Sequence, residues 1–209
     1  MRHPIFKTER ERGSAVVEFL LSTLIWIPLL LGAIGIGTEL VREIQVTQVC
    51  RDAARMHAYG VDFSQSSSRK LILQAAPNLG LAQTGGNGAI ILSTIKVISA
   101  ADCQAGGLTA DQQHCPNLNF PVFTKQILIG NSTYKSSFDN PNPPSTDSTG
   151  AVSQSTTLTS TSDQTPAITQ LLPSLTAGQI AYVGEIFVNN SDLAWTGFGG
   201  NVIASQSIF

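Results

Sequence analysis

RGSAVVEFLLSTLIWIPLLLGAIGIG, from Arg12 to Gly37, is the stretch around which the rest of the chain is read. A helix needs ~20 mostly apolar residues to cross a bilayer, and Ala15–Gly37 supplies them. The one charge inside that span is Glu18, near its N-terminal end. A carboxylate costs ~2.5–3.5 kcal/mol at the centre of a membrane helix and less near the interface, so Glu18 asks for a reason. Arg2, Lys7, Arg10 and Arg12 precede the apolar run, and Arg42 is the one base just after it. The positive-inside rule therefore places the N-terminus in the cytoplasm and everything after about Thr38 outside. A cleaved secretory signal fits less well. The run is too long, and the small-x-small candidate Ala33-Ile34-Gly35 is followed by more apolar sequence.

Within the span, Pro28 removes one backbone donor and is expected to kink or loosen the helix. Ala33 and Gly37 form a small-xxx-small pair, and Gly32 and Gly35 add bare backbone. Such faces let helices approach closely in lipid, although glycine is also simply common in membrane helices. From Thr38 to Tyr59 the pattern stays helical and becomes amphipathic, with Val41, Ile44, Val49, Ala53 and Ala54 near i, i+3, i+4 spacing. Glu39 can meet Arg42, and Asp52 can meet Arg55. Gly60 is the natural stop. One helix from about Ser14 to Tyr59 would be on the order of 70 Å long.

Beyond it the chain reads as a small extracytoplasmic head. Arg69–Leu79 suggests a short helix with Pro77 near its end, and Thr84–Gly88 a Gly-rich turn. Ala89–Ser99, Phe123–Tyr134 and Gln179–Val188 read as strands. Asp139–Thr165 is rich in Ser, Thr, Asn and Pro, and reads as a long loop or disordered insertion. The tail from Ala194 to Phe209 is Gly-rich, with apolar Ile208 and Phe209 expected to dock on the head. The expected fold is α+β: a long N-terminal transmembrane and projecting helix, then a head of about three antiparallel strands and a Ser/Thr-rich loop. The expected divisions are 1–13 (cytoplasmic leader), 14–60 (helix) and 61–209 (head), with the low-complexity loop at about 139–165. The formal net charge of −2 with only 12% charged residues offers no basic excess for nucleic acid.

Gly13-Ser14-Ala15-Val16-Val17-Glu18-Phe19 sets a glycine, four residues and a Glu-aromatic pair between a basic leader and a membrane helix. This resembles the processing site of Flp/Tad-type prepilins and pseudopilins. The longer series RGSAVVEF, PLLLGAIGIG and then DAAR, ending in Ala53-Ala54-Arg55, resembles the N-terminal segment of TadE-like proteins, the minor pilins of tight-adherence pili. The resemblance covers about residues 12–60. Family members tend to carry proline nearer the glutamate than Pro28, and the Ser/Thr-rich insertion is not a family hallmark. The resemblance implies cleavage after Gly13 by a membrane prepilin peptidase, with Ser14, Glu18 and Phe19 completing the processing site. Glycine suits such a cleft because it has no Cβ. Cleavage would expose an α-amine at Ser14. Glu18 could pair with that amine or a neighbour's, offsetting the cost of an intramembrane carboxylate. Family behaviour implies the neighbour, which would set subunit register. The implied partners are the peptidase, other pilins or pseudopilins through the helix, and inner-membrane lipid. The implied location is the bacterial inner membrane, in a single pass, with possible entry into a pilus. A plain signal anchor with Glu18 at the interface is the simpler alternative.

Three cysteines leave one over if a disulfide forms. Cys103 and Cys115 share one loop outside the membrane, and bridging them is worth roughly 3 kcal/mol in the chain-entropy model. Cys50 lies among small helix residues and reads as packing, with an intermolecular bridge the alternative. His114 beside Cys115 has no zinc spacing around it, so neither metal nor cofactor is expected. Arg55 and His57 read as solvated or capping the helix end. No G-x-S-x-G, serine–histidine–aspartate or paired-carboxylate grouping stands out, so no enzyme is expected. Asn131-Ser132-Thr133 and Asn189-Asn190-Ser191 match the short glycosylation sequon and carry little weight. The alternative to a pilin is an uncleaved, single-pass anchored binding protein.

Overall fold

In the computed structural model the apolar run belongs to one 49-residue helix, α1 (Arg10–Ala58). At 1.5 Å per residue it is about 74 Å long. The structure describes residues 10–139, 142–189 and 202–209, with side chains from 15 onward. The first nine residues of the leader, residues 194–201 of the tail, and Asn190 and Ser191 of one sequon lie outside the described residues. Helical assignment is continuous through Pro28. The helix stops at Gly60, whose φ of 83° suits a residue without Cβ. Gly60 N donates to His57 O and Val61 N to Met56 O, both at 3.0 Å, which satisfies two carbonyls at the helix end.

After α1 come α2 (Ser66–Ala75), β1 (Gly88–Val97), α3 (Ala100–Ala105), β2 (Pro121–Gly130), α4 (Gln154–Thr159), α5 (Ile168–Leu171), β3 (Ile180–Asn189) and β4 (Val202–Ile208). The sheet is antiparallel in the order β2-β1-β3-β4. It has four strands rather than three. The fourth is the end of the tail, which pairs with β3 from Val183↔Ile208 to Asn189↔Val202. Its short sequence VIASQSI offered little strand signal. The second strand also sits earlier than expected, starting at Pro121 and ending at Gly130, whose φ is 117°.

The C-terminal half of α1 lies across one face of this sheet. Val46, Val49, Cys50 and Ala53 are buried with Ile90, Leu92, Ile127, Ile129 and Ile186. Gly184 on β3 is where helix and sheet come closest. A Cβ there would stand 2.6 Å from Ala54 Cβ and 3.3 Å from Cys50 O. Moving outward along α1, Thr47 is near the start of β4, Ala54 meets Gly184, and His57 meets Thr94. β1 therefore runs away from the anchor, and α3 with its disulfide sits at the far end of the head.

The Ser/Thr-rich segment is not a disordered insertion. It folds onto the opposite face of the sheet, carrying α4, a 3-10 turn at Thr161–Asp163 and bridges Lys125↔Ala151 and Val122↔Gln164. Phe138, Val152 and Ile168 from this region pack on Ile95, Phe123 and Val183. Leu158 packs with Ile98, Val122, Cys103 and Cys115. Few apolar residues suffice because they are spaced to meet a sheet face that is itself apolar on both sides. β1 is buried at eight of its ten positions.

Candidate functional site

The expected site lies at the N-terminal end of α1. Gly13 and Ser14 are helical by backbone, and Glu18 and Phe19 are exposed on the helix surface, Phe19 at 69%. Exposed apolar side chains run from Val16 to Ile36, including Trp26 and Ile34, and Leu40, Val41 and Ile44 are exposed further on among Glu39, Arg42 and Glu43. The part up to Ile36 is ~30 Å long at 1.5 Å per residue, which matches the ~30 Å hydrocarbon core of a bilayer. The helix is thus long and apolar enough for a single-pass anchor. Thr23 and Thr38 donate their hydroxyls to Phe19 O and Gly35 O, so their polarity is spent inside the helix.

The four small residues do not act alike. Ala33 and Gly37 are exposed, Gly32 is half-buried and Gly35 is buried. Added Cβ atoms at Gly32 and Gly37 would meet nothing within 4 Å, so both present open backbone. The Ala53-Ala54-Arg55 element has a local explanation. Ala53 and Ala54 are wholly buried where the helix meets Gly184, while Arg55 is exposed. Small residues are required there because larger ones would push the helix off the sheet.

Cys103 and Cys115 are at disulfide distance with Cα atoms 6.1 Å apart. The pair ties α3 to the loop leading into β2. Ser99 starts α3 with a reciprocal cap, accepting from Asp102 N while Asp102 accepts from Ser99 N. Cys50 is free and buried, its thiol donating to Gly184 O at 3.2 Å and Ser205 O at 3.3 Å. His114 pairs with Asp111 at 2.9 Å on the surface. His57 is a correction. It is neither solvated nor a cap, but 5% exposed, with Nε2 2.9 Å from Thr94 Oγ1 and its ring edge-on to Tyr182. Arg55 points outward from the same turn. Helical phase explains the difference, since residues two apart lie about 200° apart around the axis.

A buried carboxylate network escaped the motif search. Glu185, 2% exposed, accepts from Ser136 Oγ and, at 2.9 Å, from Ser137 N. Asp139 next to it accepts from Gln126 Nε2 at 2.9 Å and Ser136 N at 3.1 Å. Burial pushes both carboxyls above their ordinary values, against the lowering effect of these hydrogen bonds. The network pins the folded-over segment to β3. A lone Glu in the apolar strand QIAYVGEIFV was the available signal, but its partners are about 50 residues away in sequence.

No family model, curated protein or solved structure matches this chain.

Proposed function

We propose that this chain is a TadE-like minor pilin or pseudopilin whose task is assembly rather than catalysis. It is made as a single-pass inner-membrane precursor with its head outside, is cut after Gly13, and enters a Tad-type pilus or secretion complex through α1. The observation that carries this reading is the apolar surface of α1. It is exposed from Val16 to Ile36, and Leu40, Val41 and Ile44 stay exposed beyond that, on a helix whose C-terminal part packs against the head. Exposed apolar surface beyond the lipid calls for a protein partner, and the open backbone at Gly32 and Gly37 suits a second helix. The glycine, glutamate and phenylalanine at 13, 18 and 19 add a processing site in the expected place relative to the helix.

A Gly13→Leu change tests the processing step. The variant should accumulate at precursor mass in membranes that fully process the unaltered chain. Normal processing of the variant would refute cleavage at this glycine.

A further inference from the structure

The sheet runs on past the helix that covers it. α1 ends at Ala58, one residue after His57, and His57 meets Thr94. β1 continues to Val97, and Lys96 on it pairs with Ile180 at the start of β3. Lys96 shares a face with Thr94 and lies ~7 Å farther along the strand. Two cavities of about 280 and 360 Å³ lie beyond the helix end and meet at Thr124 of β2. The larger is bounded by Gly60 and Asp62 after α1 and by Tyr182, the smaller by α3 and α4. Their sizes are those of small-molecule pockets, ~300–1,000 Å³. The charges that line this trough cancel in pairs. Lys96 holds Asp102 at 2.5 Å in one cavity, and Lys125 holds Asp62 at 3.5 Å in the other. His57 adds no charge near neutral pH, because burial and then the neighbouring Lys125 push its pKa down to about 4. What remains is uncharged hydrogen-bonding capacity. Tyr182 and Gln154 line the trough, and among the described residues neither the Tyr182 hydroxyl nor the Gln154 amide has a hydrogen-bond partner.

We propose that this trough binds an uncharged oligosaccharide. Each sugar hydroxyl both donates and accepts, and so do the hydroxyls of Thr94, Thr124 and Tyr182 and the amide of Gln154 that line the trough. Apolar Ile98, Val152 and Leu158 in the smaller cavity suit the C–H faces of sugar rings. A charged ligand would give up its hydration for ion pairs that are already closed, which is costly. A peptide strand would seek a sheet edge, where backbone groups are free to pair. The trough instead presents side chains, and the β2 edge beside it is bridged by Ala151 and Gln164. The site belongs to the head alone and stands whether or not α1 is cut and assembled.

The test is binding of the full chain, purified in a detergent without a sugar headgroup, to an array of immobilised oligosaccharides. The array carries neutral hexose and N-acetylhexosamine chains beside sialylated and sulfated ones. Neutral chains should bind. Tyr182→Phe and Gln154→Ala each remove one unpartnered polar group and no hydrogen bond of the fold. Each should weaken binding roughly two- to tenfold, the worth of one hydrogen bond, with Tm unchanged. Binding confined to sialylated or sulfated chains would overturn the uncharged ligand. Neutral chains bound at full strength by both variants would overturn the site. No neutral chain bound would overturn the proposal, and capture of uncharged peptides in their place, weakened by the same two substitutions, would reassign the trough to a peptide.

Discussion

Gly184 is the position at which the joint between the projecting helix and the head can be broken or spared by a single methyl group. An alanine Cβ there would lie 2.6 Å from Ala54 Cβ, 3.2 Å from Ala54 Cα and 3.3 Å from Cys50 O. Carbon atoms pack at ~3.5–4.0 Å, so the helix must retreat by roughly 1 Å along its contact with the sheet. Overpacking of this kind costs ~1–3 kcal/mol. In an uncrowded strand the same change would instead stabilise by ~0.4–1 kcal/mol, since alanine has less freedom to lose on folding. The sign of the effect therefore decides whether the close approach exists. Thermal unfolding of the purified protein in one detergent, followed by circular dichroism, should show a Tm for Gly184→Ala lowered by ~2–12 °C, taking ~2–4 °C per kcal/mol for a chain of this size. Combining it with Ala54→Gly should recover part of the loss, because the second change removes the methyl that is struck. Coupling of 0.5 kcal/mol or more is expected for residues in contact, on the order of values seen for such pairs. An unchanged or raised Tm for Gly184→Ala, or strict additivity in the double variant, would refute this account of the joint.

Three further outcomes follow. Replacing Cys103 and Cys115 by serine should lower head stability by roughly 3 kcal/mol, the chain-entropy value for a loop of this length. A melting temperature insensitive to both the substitution and reductant would count against the bridge. Glu185 is raised by burial, so the folded state favours its protonated form, and stability should fall as pH rises from about 4.5 through its folded-state pKa. Glu185→Gln should flatten that part of the Tm–pH profile, and an unchanged slope would show that the carboxyl is not the titrating group. Glu18→Ala should leave cleavage intact but reduce the share of protein recovered in assembled complexes several-fold. Full recovery would remove any register role for that carboxylate.

The helix and the two central strands were legible because their signals are local. Ala15–Gly37 declares itself by length and apolarity, and AIILSTIKV and IAYVGEIFV by β-branched content in short runs. Gly60 marked the end of α1 correctly, through the left-handed turn it alone permits cheaply. What escaped depends on pairing at long range. β4 is a strand because β3 offers it an edge, not because VIASQSI demands one. The 139–165 segment is polar in composition, yet Val152 and Leu158, with Phe138 just before it and Ile168 just after, land on an apolar sheet face that no local window reveals. His57 looked like a terminal cap, but its phase on α1 turns it towards Thr94. At the candidate site, Gly13, Glu18 and Phe19 were visible as a motif. The structure adds the extent of the uncovered helix surface above them and the different environments of Gly32, Ala33, Gly35 and Gly37.

The central claim is that α1 begins as a precursor segment and ends as an assembling helix. Intact-mass and N-terminal peptide analysis of the chain from its native membranes tests this most directly. The account predicts a mature form beginning at Ser14, with Met1–Gly13 removed. Recovery of the chain with its leader attached would contradict it and leave a permanently anchored single-pass protein.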